Sequence, residues 1–234
     1  MNRITRLAAV AALLVSAAPT VLAKGGEARL RVIHASPDAP AVDVLVNGAP
    51  AITDLSFSES SGYAALPAGR YDVQVVPAGL TSPVVIDLSG AGALNLLYNR
   101  DYTALAVDTL SSIEPLLLAD DNRPAPVPFA RVRFVHASPD APAVDVCVTN
   151  GPCLFQNIAF RGVGDYVEVP RGSYDLEVRV AGTQVVALTL PGIRLDGGTT
   201  YTAVAIGFAA GTPSLDAALF VDSRSPAKGR GPKN

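Results

Sequence analysis

One eleven-residue block occurs twice in this chain without a single change. His34-Ala35-Ser36-Pro37-Asp38-Ala39-Pro40-Ala41-Val42-Asp43-Val44 returns as the run from His136 to Val146. A repeat of this kind constrains the fold before any motif does, because each copy must be one structural unit. The likeness extends beyond the block. Ala28-Arg29-Leu30-Arg31 returns as Ala130-Arg131-Val132-Arg133, and Pro67-Ala68-Gly69-Arg70-Tyr71-Asp72-Val73 as Pro170-Arg171-Gly172-Ser173-Tyr174-Asp175-Leu176. Tyr102-Thr103-Ala104 returns as Tyr201-Thr202-Ala203. The copies divide the chain into a first unit at 24–120, a linker at 121–128 with three prolines, and a second unit at 129–223. Each unit is long enough to enclose a core of its own.

Both units alternate apolar and polar residues at the period of two that marks a strand. In the first unit the alternation predicts strands at 28–34, 41–47, 61–66, 70–76, 84–88, 101–108 and 115–120. In the second it predicts 130–136, 143–149, 164–169, 173–180, 184–190, 200–208 and 216–222. Pro-Asp, Asn-Gly and Pro-Ala-Gly breakers separate them. Seven short strands per unit point to two tandem all-β sandwiches, immunoglobulin-like or transthyretin-like, with a closed barrel as the alternative.

The N-terminal segment reads as a targeting signal. Arg3 and Arg6, the apolar run Leu7 to Ala18 and the small-residue step Val21-Leu22-Ala23 make 1–23 a secretory leader. No later stretch is apolar for long enough to span a bilayer. The expected location is therefore periplasm, cell surface or medium. The last residues, 224–234, form a short basic tail expected to be disordered. Cys147 and Cys153 flank Val148-Thr149-Asn150-Gly151-Pro152, which is turn chemistry. In an oxidising compartment the two are expected to form a local disulfide.

Composition narrows the partners. The net charge is -3 and the pI about 5.3, which argues against a nucleic-acid binder. Residues 24–127 hold 6 Lys+Arg and 12 Asp+Glu; residues 128–234 hold 10 and 9. A cell-envelope protein or a surface polymer is the expected partner.

The duplicated block and the Pro-x-Gly-x-Tyr-Asp element resemble the bacterial domain-of-unknown-function family 4397. The resemblance implies an exported or cell-surface β-sandwich, often in tandem. It supplies no reaction and no catalytic residue. The Pro-Ala-Gly-Arg-Tyr-Asp-Val stretch is also similar to an element of transthyretin-like accessory domains.

The block also holds the candidate chemistry. His34 shares a strand face with Leu30 and Val32, and His136 with Val132 and Phe134. A histidine at the end of an apolar face is expected to be buried and bonded to a neighbouring loop. Ser36-Pro37-Asp38-Ala39 suits a type I turn, so the block reads first as a rigid crossover between strands. The alternative is a copper or zinc site built from His34, Asp38, His136 and Asp140, extending to a copper-dependent redox enzyme such as a superoxide dismutase. Asp43 and Asp145 belong to the same candidate set. Strand parity turns them outward, away from the valines beside them. Ser36 and Ser138 lie near a histidine and an aspartate, yet sequence neighbours in one turn do not build a triad with its own oxyanion hole. No catalytic residue and no cofactor are expected. The recurring tyrosines Tyr63, Tyr71 and Tyr102, with Tyr166, Tyr174 and Tyr201, are expected in cores and corners rather than on a sugar platform.

Overall fold

The structure is a computed structural model, and it describes residues 26–224. The expected leader at 1–23 and the tail beyond Arg224 lie outside the described residues. Among the described residues no helix is long and apolar enough to cross a membrane.

The first repeat has ten strands: β1 (Glu27–His34), β2 (Val42–Val46), β3 (Ala49–Leu55), β4 (Ala64–Pro67), β5 (Gly69–Tyr71), β6 (Val73–Pro77), β7 (Ile86–Leu88), β8 (Leu94–Leu96), β9 (Asp101–Val107) and β10 (Glu114–Asp120). They form one sheet in the order β10-β9-β1-β4, a second in the order β3-β2-β6-β7, and a small β5-β8 pair. The β1 and β9 strands run parallel; the other pairs are antiparallel. The second repeat has eight: β11 (Phe129–His136), β12 (Val144–Val148), β13 (Cys153–Ile158), β14 (Val163–Pro170), β15 (Gly172–Val180), β16 (Val186–Leu195), β17 (Thr199–Ile206) and β18 (Asp216–Arg224). Its sheets run β14-β11-β17-β18 and β13-β12-β15-β16, with β11 and β17 parallel. These sheets are open, so the units are sandwiches and not closed barrels.

Alternation explains the layers. Ala28, Leu30 and Val32 of β1 point between the sheets and meet Val42, Val44, Val73 and Val75 of the facing sheet. Ala130, Val132, Phe134, Val144, Val146 and Val178 repeat this in the second unit. Each buried valine or leucine adds about 1.5–3 kcal/mol over its exposed state.

Two expectations are corrected. The strand expected at 70–76 is split at Asp72 into β5 and β6, which pair with different strands, β8 and β7. The strands β3 and β13 were not expected at all. Pro50 interrupts the apolar signal of Ala49–Leu55, and most of that strand is exposed or half-buried. It forms because Asn47 and Gly48 both adopt positive φ, 51° and 78°, and close a two-residue hairpin into β2.

Cys147 and Cys153 are disulfide-bonded and lie opposite each other in the β12–β13 ladder, where the first repeat pairs Leu45 with Pro50. The bridge spans a separation of only six residues. A loop this short restricts the unfolded chain little, so changing both cysteines to alanine should cost no more than about 2 kcal/mol. Urea unfolding of that variant beside the parent checks this; a loss far above that value would show that the bridge organises more than its own loop.

Candidate functional site

Each copy of the block runs out of a central strand, turns, and enters the facing sheet. The turn is held by its own polar side chains. His34 ends β1 with no exposure to solvent, and its Nε2 donates to the Pro40 carbonyl at 2.9 Å. Because a carbonyl only accepts, this bond fixes the proton on Nε2. The ring meets Phe57 edge-on at 6.3 Å. His136 repeats the arrangement, donating to the Pro142 carbonyl at 3.0 Å and meeting Phe160 at 6.4 Å. Burial lowers the pKa of both imidazoles from the ordinary value of 6.5, against the opposing pull of the proline carbonyls. In the first copy His34 Nδ1 and Ser36 Oγ are buried with no hydrogen-bond partner among the described residues.

The carboxylates face backbone amides. Asp38 accepts the Leu110 amide at 2.7 Å, joining the block to the turn between β9 and β10. Asp140 accepts the amides of Ala209 and Ala210 at 2.7 and 3.0 Å, in the turn between β17 and β18. Burial works against ionisation of Asp140, but those amides, its own amide and the Ser138 hydroxyl outweigh it and hold its carboxyl below the usual range.

Asp43 does the most bridging. One oxygen accepts the Asp54 amide (2.8 Å) and the other the Gly79 amide (2.9 Å). Asp145 does the same with Asn157 (2.7 Å) and Gly182 (2.9 Å). All four amides belong to residues with positive φ, so the carboxylates steady backbone that would otherwise be costly. Parity does turn Asp43 off the apolar face, and that turn brings it to the end of β3 and the β6–β7 turn.

Within each copy the candidate metal ligands face different partners. The His34 Nε2 proton faces Pro40, whereas Asp38 faces Leu110. Among the described residues no three His, Cys, Asp or Glu side chains form a group able to hold a metal ion.

A second duplicated cluster escaped the sequence reading. Arg31 is buried and donates through Nε to Thr103 Oγ1 (2.9 Å), which donates to Asp120 (2.6 Å). Tyr63 donates to the same carboxylate (2.6 Å), and its ring lies 4.7 Å from the Arg31 guanidinium. Arg133, Thr202, Asp222 and Tyr166 repeat it, with bonds of 2.8, 2.7 and 3.0 Å. Its bonded pairs are 17 to 72 positions apart in the first copy, and only the recurrence of the tyrosines hinted at it. Of the other recurring tyrosines, Tyr71 and Tyr174 are corner residues that donate to the carbonyls of Pro67 and Pro170, four residues upstream, and Tyr102 and Tyr201 are buried and accept the amides of Leu97 and Asp196.

A family model described as a domain of unknown function, DUF4397, matches residues 28–147 and again 130–231. No curated protein matches the chain. Among solved structures, the Bacillus anthracis TIE protein is similar at 13% identity over 78% of this chain and 34% of that one, with a TM-score of 0.25. A leucine-rich repeat protein from Bacteroides thetaiotaomicron is similar at 12% over 78% and 26%, with a TM-score of 0.18. A putative cell adhesion protein from Bacteroides fragilis is similar at 12% over 87% and 100%, with a TM-score of 0.19. The chain thus spans about a third of the first of these neighbours and about a quarter of the second.

Proposed function

The chain belongs to the DUF4397 family, and from that premise we propose that it is an exported, non-enzymatic module whose two β-sandwiches bind a partner at the cell envelope or surface. One observation carries the reading. In both copies the histidine and both carboxylates bond to backbone groups of the block itself or of neighbouring strands and turns. Side chains so engaged stabilise a scaffold. The disulfide fits an oxidising compartment.

Fractionation of the native host tests the location. The protein is expected outside the cytoplasm, beginning at Lys24, with Cys147 and Cys153 oxidised. Recovery from the cytoplasm with Met1 intact would overturn the proposal. Elemental analysis, without chelators or tag metal, tests the chemistry. Copper or zinc is expected well below one ion per chain, and unchanged in His34→Ala and His136→Ala. Near-stoichiometric metal lost in those variants would replace this reading with the metal-binding one.

A further inference from the structure

The eleven-residue block is identical in both repeats, yet its polar atoms are not equally engaged. In the second copy the Ser138 hydroxyl reaches Asp140 Oδ1 at 3.5 Å. In the first, Asp38 Oδ1 accepts the Leu110 amide (2.7 Å), and no bond joins Asp38 to Ser36. Two atoms are left over there. His34 Nδ1 and Ser36 Oγ are buried with no hydrogen-bond partner among the described residues, and neither residue has any exposure to solvent. Leaving both unbonded in so closed a place is costly.

The two atoms ask for complementary things. The Nε2 proton is committed to the Pro40 carbonyl, so Nδ1 carries a lone pair and can only accept. Moving the proton to Nδ1 would set the Nε2 lone pair against the Pro40 oxygen. The Ser36 hydroxyl both donates and accepts, and its hydrogen rotates freely. The Ala35 amide donates to the Ala106 carbonyl at 2.9 Å, so the backbone runs on beside β9 after His34. His34 and Ser36 thus stand on one face of that segment. Their bases are about 6.5 Å apart along it. Two hydrogen bonds of about 2.8 Å, end to end, cover most of that separation.

We infer that a single water molecule is buried in the first repeat, donating to His34 Nδ1 and bonded on its other side to Ser36 Oγ. Water can donate to the one atom and either donate to or accept from the other. It also brings no charge into a site closed to solvent. Buried waters characteristically satisfy groups that a fold has left unpaired. The imidazole is then held at both nitrogens, by Pro40 at Nε2 and by the water at Nδ1. Ser36 becomes a positioning residue that keeps the water on the ring.

The test is a high-resolution crystal structure of the whole secreted chain. One ordered water is expected within about 3.2 Å of both His34 Nδ1 and Ser36 Oγ. Oxygen-17 relaxation dispersion counts long-lived waters in solution, without interference from exchanging hydroxyl protons. Ser36→Ala removes one of the two partners and should lower that count by one. Should this variant fail to fold, the crystal structure of the parent decides. A direct bond between Ser36 Oγ and His34 Nδ1, a parent structure without density between them, or a water count unchanged by Ser36→Ala would each overturn the inference.

Discussion

Asp43→Ala is expected to cost the first repeat about 3 kcal/mol, since two hydrogen bonds to a charged acceptor are lost at once. The residue is only 8% exposed, so water does not readily replace the missing oxygens. The two amides it releases belong to different segments: Asp54 lies near the end of β3 and Gly79 in the β6–β7 turn. Both have positive φ, and the aspartate at 54 adopts it without glycine's freedom. Asp43→Asn should cost about half as much, because an amide side chain keeps one acceptor oxygen and presents donors to the other amide. Asp145→Ala should reproduce the effect in the second repeat through Asn157 and Gly182. Urea unfolding gives the magnitude. Amide exchange gives the mechanism, since Asp54 and Gly79 should lose protection first. A loss below about 0.5 kcal/mol, the range of ordinary surface substitutions, would mean that the carboxylate does not hold these loops.

What made Asp43 hard to find in the sequence is also what makes it matter. Parity showed which way it points, and that was correct, but its two partners lie 11 and 36 positions away. No local pattern encodes that meeting. The same holds for Arg31, Thr103, Asp120 and Tyr63, which converge from four separate segments. By contrast, the placement of Leu30, Val32 and Val44 in the core follows from alternation alone, and the Cys147–Cys153 bond from turn chemistry between near neighbours. His34 lies between these cases. Its face was legible from Leu30 and Val32, and its bond goes to Pro40 within the same block. The neighbours of Arg29 and Arg131, Asp101 and Thr200, were not legible, because they depend on which residue lies across a parallel ladder. Aligning the repeats puts Asp101 against Thr200, yet sequence does not say that either neighbours an arginine.

The second large effect is a loss of stability on mild acidification. Burial lowers the folded-state pKa of His34 and of His136 below the ordinary 6.5, so the folded chain resists taking up protons that the unfolded chain accepts. The sign follows from linkage: stability rises with pH wherever the unfolded state binds more protons. Above about pH 6.5 neither state is protonated at these rings and the histidines add no slope. Below it each contributes up to about 1.4 kcal/mol per pH unit, until the lowered folded pKa is reached. Glu59 near His34 pulls its pKa back upward and limits that copy's window. Asp140 acts in a separate range. Asp140, held low by its amides, contributes stability above its ordinary 3.8 that is lost only as pH falls through its lowered value. Urea unfolding at pH 7.5, 6.5 and 5.5 should therefore show a plateau and then a decline. The double variant His34→Gln, His136→Gln keeps a donor for the two proline carbonyls and removes both titrations, so its stability should be flat across the same range. A parent as flat as the variant would mean that the rings take up protons as readily folded as unfolded, and that their bonds to Pro40 and Pro142 survive in the charged form.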